Sequence, residues 1–326
     1  MSEVVKITKD AITSSKEKTV DNFTLKGLSK GKIGFILSPP DIGKSYLSLS
    51  IAYSLASEKP LLPVVENNRP FKTLYWPAED GVELALQRVD GHTQVLGDEF
   101  LLMVEKMVGL FKADGALTQR SGVHLVASQA MIDSLINAAK DFDVLIIDTL
   151  REAVGPADEV EDDYLIKTIL QTVAKEADVS ILAVHHPNKN VARGIEKLSS
   201  VSGSGLSRTI ANARLLLYLE PGKPGRDKDK GPTLKYLKAN LLRGEERQDI
   251  PLEWTSYSLL KAHGAPLVVR EHIPDLQDKV THAVDGKKEQ EPKIIDLSAE
   301  EELNKDTPND PDAEDFFSSV NKNLEK

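Results

Sequence analysis

The stretch "FILSPPDIGKSYLSLSIA", Phe35 to Ala52, constrains this chain more than any other. An apolar run suited to a buried strand, Ile33–Leu37, enters a short loop, and a helix-period pattern begins at Lys44. Gly-Lys-Ser at the start of such a helix is a phosphate-binding arrangement. Backbone N–H groups of the loop and helix N-terminus point at the anion, Lys44 adds a point charge, and the Ser45 hydroxyl is placed for Mg2+. Ser38, Asp41, Ile42, Gly43, Lys44, Ser45 and Tyr46 are therefore the expected nucleotide-binding residues, with ATP and Mg2+ as the expected ligands. Ser38 stands where a first glycine usually turns the chain, and Pro39 and Pro40 remove two donors, so the amides of Ile42 to Ser45 form the main cradle. A proline turn before an ordinary amphipathic helix would explain the turn but not Gly-Lys-Ser.

Further apolar runs of strand type follow at Thr73–Trp76, Val144–Ile147, Ser180–Val184 and Arg214–Leu219. Helix-period segments lie near Lys44–Ser57, Gly81–Leu96, Ser128–Lys140 and Asp162–Glu176. This alternation predicts an α/β fold with a mostly parallel central sheet flanked by helices, its ligand at the carboxyl ends of the strands. "TLKYLKANLLRGEERQDIPLEW" reads as two strands around a polar turn, hence antiparallel strands at the sheet's edge.

Three of those strand ends carry candidate chemistry. "FDVLIIDTLREA" ends its run in Asp148, a carboxylate suited to Mg2+ beside the loop. "TLYWPAED" ends in Glu79 and Asp80; Glu79 suits a general base, and Asp80 an N-cap for the helix that follows. "SILAVHHPNK" ends in His185-His186, read as a sensor of the γ-phosphate, with zinc the competing reading but no further ligand at zinc spacing.

The chain has 326 residues, a formal charge of −10 and no cysteine, which excludes disulfides, thiolate zinc sites and cysteine nucleophiles. No run of eighteen or more apolar residues and no secretory leader is seen, so a cytoplasmic protein without a membrane partner is expected. The charge is uneven. Glu271 to Lys326 holds 16 acids against 7 bases, and the rest 35 against 34. That last segment, rich in Glu, Asp, Lys, Asn and Pro, is expected to be a disordered acidic tail. Its Phe316-Phe317 pair is either a docking motif for a replication or recombination protein or incidental. The expected division is a polar N-terminal arm over 1–21, a nucleotide-binding domain over 22–270 and the tail over 271–326.

The order SPPDIGKS, LYWPAED, VLIIDTLR, AVHHPNK, a Gly/Ser segment leading to "NARLLLYLE", then "YLKAN" before a strand, resembles the RecA-like P-loop ATPases of the RepA type. These are the ring-forming, hexameric replicative helicases of broad-host-range plasmids. The resemblance spans roughly Asn22 to Trp254 and includes the serine that opens the loop. It implies Lys44 and Ser45 in the phosphate loop, Glu79 as base, Asp148 as magnesium carboxylate and His186, or else His185, as γ-phosphate sensor. It also implies a homo-oligomeric ring in which Lys238 reaches a neighbour's nucleotide. Two places depart from the pattern. No arginine precedes the Gly/Ser turn, Arg208 and Arg214 coming only later, and Asn240 stands where related helicases often have arginine, leaving Arg243 as a substitute from the turn.

A motor of this kind needs a track. "REAVGPADEVEDD" is acidic and suits phosphate poorly, whereas "PNKNVARGIEKLSS" carries Lys189, Arg193 and Lys197, the expected contacts to single-stranded DNA. "PGKPGRDKDKGP" is also basic but reads as a solvated hairpin loop. Three functions remain open at this point: a replicative translocase or helicase for a plasmid, phage or other mobile element; a nucleotide switch such as a loader, recombination mediator or regulatory ATPase; and a module that binds nucleotide without hydrolysing it.

Overall fold

Strands buried on both faces need continuous apolar sequence, and the runs IGFIL, TLYW, VLII and SILAVH supply it. A computed structural model describes residues 6–10, 12–14, 23–65, 69–187, 205–222 and 231–267, all within the compact unit Met1–His272. Most of the expected arm, the expected tail and Lys189, Arg193 and Lys197 lie outside the described residues.

The runs form β3 (Ile33–Leu37), β4 (Thr73–Trp76), β8 (Val144–Ile147), β9 (Ser180–His185) and β10 (Leu215–Glu220). They belong to a nine-stranded sheet ordered β13-β12-β11-β10-β3-β9-β8-β4-β5, where β5 is Val108–Leu110, β11 Thr233–Ala239, β12 Ile250–Trp254 and β13 Leu260–Ala262. From β10 through β5 every pairing is parallel, and β11, β12 and β13 then alternate in direction at one edge. The fold is therefore α/β with a mostly parallel sheet and antiparallel edge strands. Two short hairpins lie outside it, β1 (Phe23–Leu25) with β2 (Leu28–Ser29) and β6 (Thr118–Ser121) with β7 (His124–Ala127).

Helices cover both faces. One face carries α1 (Lys44–Ala56), α2 (Gly81–Leu96) and α3 (Asp98–Met107), packed through Leu47, Ile51, Val89, Phe100 and Met103. The other carries α4 (Gln129–Ala139), α5 (Leu150–Val154), α6 (Asp163–Glu176) and α7 (Ser207–Asn212), packed through Leu135, Leu150, Ile166, Leu170 and Ile210. Strand residues divide between these layers by parity: Val144 and Ile146 join the α1 layer, Leu145 and Ile147 the α6 layer. Helix α1 is buried along most of its length although it holds several serines. Ser48 and Ser54 donate to the carbonyls of Lys44 and Ser50, at 3.0 and 2.7 Å, so these hydroxyls cost little to bury. Among the described residues, no helix is long and apolar enough to cross a membrane.

Candidate nucleotide site

The loop between β3 and α1 is fixed at both ends. Ser38, fully buried, donates its N–H to the His185 carbonyl at 3.2 Å and its hydroxyl to the Pro39 carbonyl at 3.0 Å. Asp41 and Gly43 both take positive φ, 62° and 91°, so the chain turns twice before the helix begins. At Gly43 a Cβ would lie 2.2 Å from Cη2 of Trp254, which makes glycine necessary there on two counts. Ile42 packs on the α1 layer of the core, and the Tyr46 ring makes steeply inclined contacts with the rings of Trp254 and His92.

Crossing from β3 to β4 the chain skips β9 and β8, so the carboxyl ends of four neighbouring strands surround the loop. The Glu79 carboxylate, from the turn after β4, stands 3.5 Å from Lys44 Nζ, and its backbone N–H bonds the Asp148 carbonyl at 3.0 Å. Asp148, just past β8, is 2% exposed. Its Oδ2 accepts from the Tyr75 hydroxyl at 2.8 Å, while Oδ1 is buried without a hydrogen-bond partner. Burial raises the pKa of this carboxyl, against the pull of the Ser45 and Tyr75 hydroxyls and the Lys44 ammonium. A buried carboxylate oxygen left over beside a serine hydroxyl and a lysine suits a divalent cation, so Asp148 and Ser45 fit Mg2+.

The histidine pair divides between the faces. His185, 1% exposed, follows the parity of the α6 layer, away from α1, and its Nδ1 lies 3.7 Å from Oε1 of Glu159. Burial raises the pKa of Glu159, with Arg151 opposing. His185 is thus set against an acidic loop on the other face rather than against the phosphate loop. His186, half-buried, continues the chain past the strand with a buried Nδ1 that has no hydrogen-bond partner among the described residues. Of the two, only His186 keeps a ring nitrogen free for a ligand.

Asp80 departs from its expected role. It holds the N-cap position of α2, yet its carboxylate caps no helix N–H and instead pairs with Arg88 at 2.7 Å. The reason lies on the same helix: Arg88 is turned inward with Ala85 and His92, and a buried guanidinium needs an anion more than a helix end needs a cap. Arg88 Nε and Nη1 are buried without partners, and the guanidinium lies 5.1 Å from the Tyr46 ring centroid. The sequence reading missed Arg88, although an arginine in step with Ala85 and His92 was a visible signal. Its ion pair ties the turn that carries Glu79 to α2, and its guanidinium reaches the Tyr46 ring on the helix of the phosphate loop.

Lys238 and Arg243 stand elsewhere. Leu215 pairs with Gly34 and Tyr218 with Leu37, so β10 enters level with the start of β3, and Lys238 pairs with Leu216 near that end. Lys238 Nζ donates to the Ala211 carbonyl at 2.6 Å, and burial and then Arg214 lower its pKa. Arg243 is exposed in the turn beyond β11. These cations occupy the end of the sheet opposite Lys44. Arg214, Lys32 and Lys167 line a small pocket of about 130 Å³ there. Among the described residues no group of three or more His, Asp or Glu side chains converges as a metal cage.

Several known proteins are similar to this chain. A family described as an AAA domain matches residues 6–192. The ATPase domain of G40P superposes with a TM-score of 0.54, covering 80% of this chain and 99% of that one at 12% identity. A structure described as a DnaB-like replicative helicase and its interactions with primase gives a TM-score of 0.51, covering 78% of this chain and 66% of that one at 11% identity. The RadB recombinase gives 0.47, with 72% and 92% covered at 12% identity.

Proposed function

Since the chain belongs to the AAA domain family and has the RecA-like P-loop ATPase fold, we propose that it is an ATP-driven, ring-forming translocase or helicase of the RepA type. In this reading it acts on single-stranded DNA in the cytoplasm, in replication of a plasmid, phage or other mobile element. The observation that carries it is the division of the polar groups. Lys44, Glu79 and Asp148 gather at one end of the sheet, while Arg214 and Lys238 lie at the other, out of reach of their own loop. Cations so placed serve a second copy, which head-to-tail packing around a ring would supply.

The roles follow. Amides of Ile42 to Ser45 and the Lys44 ammonium hold the phosphates, and Ser45 and Asp148 would hold Mg2+, which would neutralise phosphate charge there. Glu79 is close enough to Lys44 to be held beside the γ-phosphate, where it orients and deprotonates the attacking water. His186 meets the γ-phosphate. Arg214, Lys238 or Arg243 of the adjoining copy stabilises charge developing in transfer. The motor occupies 22–270, Lys189, Arg193 and Lys197 contact the DNA backbone, and the acidic tail recruits a replication or recombination protein.

A second reading, a nucleotide switch working through a protein partner, is favoured by the loop between α5 and α6. Val160 in that loop and Tyr164 in the first turn of α6 are 72% and 68% exposed beside Asp158, Glu161 and Asp162, a surface better suited to protein than to DNA. Steady-state ATP hydrolysis with and without single-stranded DNA, at two salt concentrations, separates the two. A DNA motor shows stimulation that weakens as salt rises and is lost in Lys44→Ala, and it then separates strands. Hydrolysis indifferent to DNA leaves the switch.

A further inference from the structure

The nine-stranded order gives the site two flanks. On one side of β3 lie β9, β8 and β4, whose ends carry His186, Asp148 and Glu79; on the other lie β10 to β13. With the γ-phosphate directed toward the first flank, the nucleoside must leave toward the second. Strand β11 runs against β10, and β12 against β11, so β12 points the same way as β3 and its last residue, Trp254, emerges at the end that holds the phosphate loop.

The indole reaches that loop. Its Cη2 and Cζ2 occupy the space above Gly43 where a Cβ would stand, at 2.2 and 2.7 Å from that position, and its ring stands nearly perpendicular to that of Tyr46 at 5.9 Å between centroids. The contact is not a buried one. Trp254 is 43% exposed, whereas the other tryptophan, Trp76, is 3% exposed in the core. An aromatic side chain of this size, half open to solvent beside a phosphate cradle, offers a stacking surface that the fold itself leaves unused. Its position is also held firmly. Trp254 pairs with Leu260 on β13, the Thr255 N–H bonds the Leu259 carbonyl at 2.8 Å, and the turn between them carries Tyr257 and Ser258 at positive φ, 54° and 59°. Tyr257 braces that turn against Gly91 of α2.

We propose that Trp254 is the platform on which the base of the bound nucleotide stacks; this deepens, and rests on, the nucleotide-site reading above. Stacking uses the π-face that every base has, so the contact adds affinity for nucleosides with little choice between adenine and guanine.

Binding measured by calorimetry with MgADP, MgGDP and magnesium tripolyphosphate tests this on the wild type and on Trp254→Leu, Trp254→Phe and Lys44→Ala. Leucine keeps an apolar group on Gly43 but has no π-face. The expected result is a loss of about 10-fold for both nucleotides in Trp254→Leu, unchanged tripolyphosphate affinity, and recovery of most of the loss in Trp254→Phe. Nucleotide should also change the tryptophan fluorescence of the wild type and not of Trp254→Phe. Equal weakening of tripolyphosphate would mean that the indole only props the loop, and unchanged ADP affinity would mean that the base goes elsewhere; either overturns the proposal alone. Lys44→Ala should weaken all three ligands. If it weakens none, the nucleotide site is wrong and the platform falls with it.

Discussion

His92 is fully buried on α2, its Nδ1 sharing a 3.0 Å hydrogen bond with the Tyr53 hydroxyl and its ring steeply inclined to the rings of Tyr46 and Tyr53. Burial pushes its pKa down from 6.5 to about 4; a backbone hydrogen bond with Tyr257 resists this and Arg88 assists it. The folded value lies below the unfolded one, so acid protonates the unfolded chain first. The stability this histidine contributes is complete above about pH 6.5 and is lost as pH falls toward 4, an effect of about 3 kcal/mol. Urea midpoints followed from pH 7 to 4.5 should drop in the wild type and drop less in His92→Gln. A matching slope in both would assign the acid sensitivity to other groups. At this scale the sequence was partly legible. Lys44, Glu79 and Asp148 stand where apolar runs stop, and a run's end can be read locally. Trp254 and the turning of His185 toward Glu159 depend on partners distant in the chain, which no local pattern reveals.

Helix α7 has only six residues, too few to hold itself, and it is anchored by a side chain from another helix. The Asp163 carboxylate, buried at the start of α6, accepts from the backbone N–H groups of Arg208 and Thr209 at 2.7 and 3.0 Å and also from the Thr209 hydroxyl. Asp163→Ala would strand two backbone donors, while the Thr209 hydroxyl keeps the Asp163 carbonyl at 3.1 Å. A loss of about 2–4 kcal/mol is expected, read as a lower urea midpoint, with Thr209→Val costing less because it removes a donor rather than abandoning two. A near-neutral Asp163→Ala would show that α7 is held by Leu206 and Ile210 alone. The five strands named in the sequence emerged within a residue of where expected, because double-sided burial keeps them largely apolar. The β6–β7 hairpin was missed for the opposite reason. Its TQRS strand is almost wholly exposed and owes its form to pairing with HLVA, a relation between segments rather than a property of either.

For the whole molecule, the parallel strands give the sheet two unlike ends, one gathering Lys44, Glu79 and Asp148 and the other Arg214 and Lys238. If each site borrows its last cation from the next copy, Lys44→Ala and Arg214→Ala disable different sites in a mixed ring. Each variant alone should be nearly inactive in ATP hydrolysis. Mixed in equal amounts and allowed to exchange, they should recover about one quarter of wild-type turnover, the fraction of junctions with both intact groups. No recovery would place all the chemistry within one chain.

That polarity also bears on inheritance. If sites are shared in this way, damage at the Lys44 end would stay with the polypeptide that carries it, while damage at the Arg214 end would fall on a sound neighbour. In a cell holding two alleles of such a protein, either lesion would then cost activity in proportion to its share of the junctions, whichever end it strikes.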